Sequence, residues 1–337
     1  MLRLKDIGEF ELIDRIKKGT IIKPETVLCG IGDDAAVLCL SDAYHLLAST
    51  DMLVEDVHFT LDTATPYEIG YKAMAVNISD IAAMAGIPEQ ALISIGLAGD
   101  LEVSFVDELY RGLKECARTF GVNIVGGDTV SSPEGVVINV TILGKVEKGK
   151  AVLRSGARPG DYLLVTGDLG AAAAGLEVIL KGLPVNKEDR DYLRRRHFQP
   201  QPRVIEARLA ATTGAITAAD DISDGLAAEL REISKAAGVG AVIYAEKIPL
   251  AMPTVRAAAM AGKDPLDYAL FGGEDFELLL ACRPEAVKKV QEAVAGTCGI
   301  PVTVIGEVLP PEKGLLIEQN GRVGELKKGG YTHFQIE

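Results

Sequence analysis

Short segments rich in Asp and Gly recur along the chain and contain the residues best suited to chemistry. Carboxylate oxygens are the ligands that hard cations such as Mg²⁺ prefer, commonly together with phosphate oxygens and water. Carboxylates brought together from separate segments would repel one another unless a cation lay between them. The adjacent glycines allow positive φ or a close approach of the backbone to phosphate. The six segments are Gly30-Ile31-Gly32-Asp33-Asp34, Ser49-Thr50-Asp51, Asn77-Ile78-Ser79-Asp80, Gly126-Gly127-Asp128-Thr129, Asp220-Asp221-Ile222-Ser223-Asp224-Gly225 and Gly272-Gly273-Glu274-Asp275.

Together, the six segments predict a metal–nucleotide site in which cations neutralise phosphate charge during phosphoryl transfer. Each segment alone is also typical of a turn or a helix N-cap, where Asp and Gly are common. Asp80 is different, because it lies within the otherwise apolar run 73–84, where an uncompensated carboxylate would be costly to bury. Metal ligation is therefore the better explanation of Asp80.

Other nucleotide-binding and catalytic motifs do not fit the sequence. The spacing of Gly30, Gly32 and Ala35 mimics a dinucleotide fingerprint, but Asp33 and Asp34 would repel a pyrophosphate placed there. The chain has no GxxxxGK[ST] loop, which excludes a P-loop kinase. No Cys or Ser stands with a His in an arrangement that suggests a covalent triad.

Charge and composition limit the class of partner. A net charge of −13 argues against nucleic-acid binding, and an acidic protein that binds nucleotides needs cations in its site. No apolar run is long enough to cross a bilayer, so no membrane association is expected. The first residues lack the features of a secretory signal, which predicts the cytoplasm. Five cysteines without a CxxC pair predict buried, reduced thiols.

Two basic residues lie near the acidic segments. His58 follows the segment that ends at Asp51, and a surface position is about as compatible with it as a substrate-binding role. Arg154 is suited to phosphate, although a lone Arg is usually solvated.

The elements that must position these residues alternate between helix and strand, which predicts a mixed α/β fold. A polar bridge near residues 147–150 predicts a boundary between domains 1–150 and 151–337, and the acidic segments are expected where strands end or helices begin. The predicted helices are 1–20, 66–86, 104–120, 171–181, 202–213, 223–237 and 284–296. The predicted strands are 36–40, 44–50, 90–98, 122–125, 135–147, 161–167 and 240–244.

The order of the motifs resembles the thiamine-monophosphate kinases along nearly the whole chain. The N-terminal motifs are Gly30-Ile31-Gly32-Asp33-Asp34-Ala35-Ala36, Ser49-Thr50-Asp51 with Val57-His58-Phe59, Tyr71-Lys72-Ala73-Met74-Ala75-Val76-Asn77-Ile78-Ser79-Asp80 and Val125-Gly126-Gly127-Asp128-Thr129. The C-terminal motifs are Leu153-Arg154-Ser155-Gly156-Ala157, Asp221-Ile222-Ser223-Asp224-Gly225-Leu226, Phe271-Gly272-Gly273-Glu274-Asp275-Phe276 and Gly330-Tyr331-Thr332-His333-Phe334.

This resemblance implies a two-domain α/β fold like that of aminoimidazole ribonucleotide synthetase, with N-terminal domains paired in a homodimer. It implies transfer of the ATP γ-phosphoryl group to thiamine monophosphate, by direct in-line attack of a substrate phosphate oxygen that needs no strong general base. The implied ligands of several Mg²⁺ ions are Asp34, Ser49, Thr50, Asp51, Asp80, Asp128, Asp221 and Asp224. The implied ATP contacts are Tyr110, Gly127, Asp128, Arg154 and Ser223, and the implied contacts to the thiamine side are His58, Glu274 and Tyr331.

Two alternatives share the implied fold, and a third belongs to another functional class. Selenide water dikinase would need an N-terminal Cys or selenocysteine and a Gly-rich loop, and residues 1–28 contain no Cys and no such loop. Val57-His58-Phe59 after Ser49-Thr50-Asp51 favours the thiamine enzyme over aminoimidazole ribonucleotide synthetase. A non-catalytic nucleotide-binding or maturation-scaffold protein would not need every metal position, and all of them are present.

Overall fold

Two β-sheets, each packed against helices, form the protein in a computed structural model that describes residues 4–327, 329–331 and 333. Thr332 and Phe334 of the last motif, and residues 1–3 of the first expected helix, lie outside the described residues. The first sheet has six strands, and the second has seven. The mixed α/β fold expected from the sequence is confirmed.

The elements of the two halves are the following. The N-terminal half contains α1 (Leu4–Ile16), β1 (Val27–Cys29), β2 (Ala36–Cys39), β3 (Tyr44–Val54), α2 (Pro66–Ala83), β4 (Ile87–Leu97), α3 (Val103–Phe120), β5 (Asn123–Ser131) and β6 (Val137–Glu147). The C-terminal half contains β7 (Tyr162–Thr166), α4 (Ala171–Lys181), α5 (Lys187–Phe198), α6 (Val204–Thr212), β8 (Ile216–Asp221), α7 (Leu226–Ala237), β9 (Gly240–Tyr244), α8 (Met252–Ala261), α9 (Pro265–Phe271), β10 (Leu278–Cys282), α10 (Val287–Cys298), β11 (Val302–Leu309), β12 (Leu315–Gln319) and β13 (Arg322–Glu325). The strand order is β1-β2-β3-β6-β4-β5 in the six-stranded sheet and β13-β12-β9-β11-β7-β10-β8 in the seven-stranded sheet.

Helix α2 is the central element of the N-terminal half. It begins with a capping box between Thr65 and Glu68, which satisfies backbone donors at its first turn. Nearly all of its side chains are buried, because it packs between α3 and the inner face of the six-stranded sheet. Gly70 and Gly112 allow the close crossing with α3, since a Cβ at either position would lie 2.0 Å from a carbonyl oxygen of the other helix. Side chains on α2 are therefore held rigidly.

The central strands of the second sheet are buried on both faces. In β7, Leu163 and Val165 pack toward α7 and α9, whereas Leu164 packs toward α6 and α10. Such strands read as continuous apolar runs rather than as an alternating pattern. The acidic segments of this half lie at the end of β8 and in the loop after it, and in the loop before β10.

Ion pairs connect the N-terminal and C-terminal halves. Arg208 of α6 lies 2.6 Å from Glu147 of β6, and Arg194 of α5 lies 2.5 Å from Glu68 of α2. Both arginines also donate to main-chain carbonyls of the N-terminal half, at Ala85 and Thr63. Ion pairs and hydrogen bonds of these two arginines therefore fix how the two halves pack against each other.

The structure corrects several expectations. Strands β3 and β5 are longer than predicted, so Ser49-Thr50-Asp51 and Gly126-Gly127-Asp128-Thr129 lie within strands and not where strands end. The expectation that Asp80 lies inside an apolar helix is confirmed by its place in α2. Helices α5, α8 and α9 and strands β1, β8 and β10 to β13 were not predicted. Cys39 is exposed, so not all five free thiols are buried.

No helix within the described residues is long and apolar enough to span a membrane. The division into domains at residue 150 stays a prediction.

Candidate active site

A cavity of about 930 Å³ lies between the two halves of the protein. Strand β3 and helix α2 form one wall, and the loops that precede α7 and β10 form the other together with α4 and α9. The polar and charged residues that line it include Glu9, Asp51, His58, Lys72, Glu177, Ser223, Asp224, Glu274, Tyr331 and His333.

Three carboxylates from distant segments meet beside this cavity. Asp34 precedes β2, Asp80 lies in α2, and Asp221 ends β8, yet their ligand oxygens lie within 4.8 Å of one another. The hydroxyl groups of Ser49 and Ser79 donate hydrogen bonds to Asp80 and Asp221. These bonds fix the direction of the carboxylates but leave their negative charge uncompensated.

Burial and mutual repulsion disfavour ionisation of the cluster. Burial raises the pKa of Asp80 well above its ordinary value, and the neighbouring Asp51, Asp221 and Asp34 raise it further. Burial and Asp221 raise the pKa of Asp51 to about 6. Burial and Asp34 raise the pKa of Asp221 to about 7, while burial, Glu9 and Asp221 raise the pKa of Asp224 to about 7. A bound cation would instead favour the ionised carboxylates and lower their pKa values.

Arg154 is the cation that contacts this cluster. Its guanidinium pairs with Asp34 and lies 2.8 Å from Asp220, which is fully buried. Burial opposes the charge of Arg154, but Asp220 and Asp34 outweigh it and hold its pKa above the ordinary value. One arginine cannot balance so many carboxylates. An all-oxygen donor set with surplus negative charge fits a divalent ion such as Mg²⁺.

Some residues predicted for this site lie elsewhere in the chain's fold. Side chains alternate along β3, so Thr50 points to the face of the sheet opposite Ser49 and Asp51, which we call the outer face. The Thr50 hydroxyl donates a hydrogen bond to the Val140 carbonyl. Tyr110 lies on α3, where its ring contacts Lys114.

Gly127 and Asp128 lie on β5, an edge strand of the six-stranded sheet. Two strands, β4 and β6, separate β5 from β3, so roughly 14 Å lie between the two backbones, at about 4.8 Å per strand spacing. Asp128 is exposed, and its carboxylate accepts a hydrogen bond from the Thr129 backbone. Within one chain, these residues do not join the carboxylate cluster.

The residues predicted for the thiamine side do come together. His58, Glu274 and Tyr331 all line the cavity. Glu274 has a φ of 69°, a left-handed conformation that is rare for a residue with a side chain, and its backbone N–H donates to the Ser223 carbonyl at 2.6 Å. This geometry ties Glu274 to the loop that carries Ser223 and Asp224.

Two buried basic residues hold the Glu274 carboxylate. The Lys72 Nζ atom lies 2.5 Å from Glu274 Oε1, and His197 Nδ1 lies 3.1 Å from Glu274 Oε2. Burial alone would raise the pKa of Glu274, but the Lys72 ammonium outweighs it and holds the pKa below its usual range. Burial and Lys72 lower the pKa of His197 to about 3, so this imidazole is neutral.

Sequence reasoning assigned no role to Lys72 or His197, and it gave Asp220 no individual role beyond membership of an acidic segment. A lysine inside an apolar helix is the same kind of signal that singled out Asp80, and it could have marked Lys72. His197 lies on α5, a helix that was not predicted, so no pattern pointed to it.

Comparison with known proteins places the chain in a family. The family model "AIR synthase related protein, N-terminal domain" matches residues 32–146, and the corresponding C-terminal domain model matches residues 158–317. Thiamine-monophosphate kinase of Bacillus subtilis (strain 168) is 39% identical over 334 residues, covering 98% of this chain and 100% of that protein. Thiamine-monophosphate kinase of Aquifex aeolicus (strain VF5) is 40% identical, covering 99% and 100%.

Solved structures agree with these matches. The structure "AaThiL complexed with AMPPCP and TMP" has a TM-score of 0.86 and 36% identity, covering 99% of each chain. Escherichia coli HypE, a hydrogenase maturation protein, has a TM-score of 0.70 at 23% identity, covering 84% of this chain and 85% of that chain. The second likeness concerns the fold alone.

Two matched domains with a carboxylate-lined cavity between them define an AIR synthase related protein. Within that class, the full-length matches show that the chain belongs to the thiamine-monophosphate kinase family. The resemblance drawn from the motifs is confirmed.

Proposed function

We propose that the protein transfers the γ-phosphoryl group of ATP to thiamine monophosphate, forming thiamine diphosphate and ADP. The observation that carries the proposal is the meeting of Asp34, Asp80 and Asp221 beside a cavity large enough for an organic phosphate. Membership of the thiamine-monophosphate kinase family supports the same reaction. The enzyme is proposed to act in the cytoplasm, where ATP is available.

Mg²⁺ is the proposed metal, held by Asp34, Asp80 and Asp221, with Ser49, Asp51 and Asp224 beside them. When bound, it would neutralise phosphate charge during the transfer. Thr50 and Asp128 remain proposed ligands of further ions, although the hydroxyl of Thr50 and the carboxylate of Asp128 lie away from this cluster in one chain.

The chain's own residues bind and orient the two substrates. A phosphate oxygen of the acceptor is already ionised at neutral pH, so no residue needs to remove a proton from it. Arg154 is proposed to contact ATP phosphate, because its planar guanidinium suits that geometry. Positioning by these residues makes in-line attack on the γ-phosphorus effective.

The remaining proposed contacts divide between ATP and the acceptor. Tyr110, Gly127, Asp128 and Ser223 are proposed to bind ATP with Arg154. His58, Glu274 and Tyr331 are proposed to bind the acceptor.

A homodimer is proposed through the outer face of the six-stranded sheet. Met52, Leu92 and Val130 lie on strands of this sheet and are 53%, 40% and 55% exposed. Exposed apolar side chains on a sheet face are typical of an interaction surface. Pairing of two such faces would also cover β5, the strand that carries Gly127 and Asp128.

The experiment that tests the reaction is an acceptor panel. Purified protein is mixed with ATP and Mg²⁺ and with one of thiamine, thiamine monophosphate, or other phosphorylated small molecules, and ADP release is followed with product identification. We expect thiamine diphosphate from thiamine monophosphate, and loss of the reaction in excess chelator. Absence of thiamine diphosphate above background at saturating metal would overturn the proposal.

A further inference from the structure

Helix α2 lies along one wall of the substrate cavity, so the spacing of its residues gives distances along that wall. Lys72 and Asp80 are eight residues apart, so they lie on one side of the helix about 12 Å apart along its axis. Val76, between them on the same side, also lines the cavity. If the acceptor's phosphate lies at the Asp80 end, as the proposed function requires, its organic end extends toward Lys72.

Lys72 is an unusual residue for this position. It is 1% exposed, yet it lines the cavity and pairs with Glu274 at 2.5 Å. Apart from this ion pair, no described residue accepts a hydrogen bond from its ammonium group. An ammonium has three donors, and leaving them unmatched in a buried site costs free energy. A ligand in the cavity would supply the missing acceptor.

Aromatic side chains flank this end of the cavity. The rings of His58 and His333 have centroids 5.4 Å apart, and those of Tyr331 and His333 are 5.0 Å apart. All three residues line the cavity. Such a surface suits a flat heteroaromatic ring, which can stack on it while presenting its edge to the opposite wall.

We propose that Lys72 and Glu274 recognise the edge of the acceptor's aminopyrimidine ring through hydrogen bonds. Lys72 is then a specificity-determining residue. Lys72 donates to a ring nitrogen, and Glu274 accepts from the adjacent amino group. The pair is neutral overall and places a donor beside an acceptor, which matches the uncharged aminopyrimidine edge. The buried His197 ring lies 3.1 Å from the second oxygen of Glu274 and limits the movement of that carboxylate by contact. This inference rests on the proposed function.

An acceptor analogue provides the test. In the analogue with an oxo group in place of the amino group, the ring edge presents an N–H to Lys72 and a carbonyl to Glu274, so both pairings fail. Wild-type protein should prefer the amino substrate in kcat/KM by about 100-fold or more, since unmatched buried groups discriminate strongly. In Lys72→Met, we expect that preference to fall about 10- to 100-fold, with the KM for ATP within about twofold of wild type.

The matched control is Lys187→Met, which removes a lysine that is paired with Asp191 at 2.6 Å outside the cavity. It should retain the full preference. If Lys72→Met retains it too, the proposal is overturned, since a merely structural lysine would lower activity with both acceptors equally. If Lys72→Met does not fold, Glu274→Gln serves in its place, with the same expected loss of preference and the same contradicting result. Failure of wild-type protein to phosphorylate thiamine monophosphate would instead overturn the proposed function.

Discussion

Asp80 illustrates how a single residue can carry information about chemistry. Its carboxylate lies in an otherwise apolar helix, surrounded by Asp34, Asp51 and Asp221 and hydrogen-bonded by Ser49. Nothing in the packing of α2 requires a charge there, and burial makes the charge costly. The sequence alone showed the apolar surroundings of Asp80. It did not show which carboxylates lie next to Asp80, because these come from segments of the chain that are up to 187 positions apart.

Removal of the Asp80 charge should stabilise the metal-free protein. Because its folded-state pKa is raised, the carboxylate costs little stability at low pH and progressively more as the pH rises above its unfolded pKa near 4. We expect Asp80→Asn to raise the melting temperature by about 2–6 °C at pH 7.5 in chelator, and by less at pH 5.

Differential scanning fluorimetry at the two pH values measures the effect. Asp191→Asn is the control, because that exposed carboxylate accepts a hydrogen bond from Lys187, which lowers its pKa. A melting temperature for Asp80→Asn that is lower than wild type at pH 7.5 would contradict the repulsion described above.

At the scale of elements, the sequence predicted α2, α3, α4 and β6 well. In α3 and β6 the apolar periodicity is strong, whereas α2 and α4 are long apolar runs. It failed at β10 and β8, whose burial on both faces leaves no alternation to detect. It also failed at α5, where a highly charged helix buries Leu193, His197 and Phe198. Those buried residues contact elements far away in the sequence, which a local pattern does not report.

The crossing of α2 and α3 gives an element-scale prediction. Gly112→Ala would place a Cβ 2.0 Å from the Tyr67 carbonyl oxygen, so the helices must separate. We expect a loss of about 1–3 kcal/mol in the free energy of unfolding, measured by urea denaturation.

Gly296→Ala is the control for the helix crossing. This glycine lies within α10, and its added Cβ would have no atom within 4 Å. Helix propensity alone should then raise stability by about 0.5–1 kcal/mol. Equal effects of the two substitutions would show that the close contact at Gly112 is unimportant.

At the scale of the whole molecule, the site depends on both halves of the chain. Asp34 and Asp80 come from one half and Asp221 from the other, while Lys72 of α2 holds Glu274 across the cavity. The order of motifs indicated the class of protein and its fold. Neither periodicity nor motif order could place Gly127 and Asp128 on an exposed edge strand, because strand order is a tertiary property.

The exposed sheet face predicts a homodimer. We expect sedimentation velocity to give twice the mass of the chain, and Leu92→Arg to convert the protein to a monomer by burying an unpaired charge in the interface. Met260→Arg, at a position 57% exposed on α8, should leave the mass unchanged. A wild-type monomer at micromolar concentration would contradict the proposed pairing.

The most direct test of metal-dependent phosphoryl transfer at the carboxylate cluster is the rate of thiamine diphosphate formation by Asp80→Asn. With saturating ATP, thiamine monophosphate and Mg²⁺, we predict a rate at least about 10³-fold below wild type, because electrostatic stabilisation of this kind is the largest part of such catalysis. Circular dichroism should show that the variant is folded. A folded Asp80→Asn protein that turns over at the wild-type rate would contradict the account.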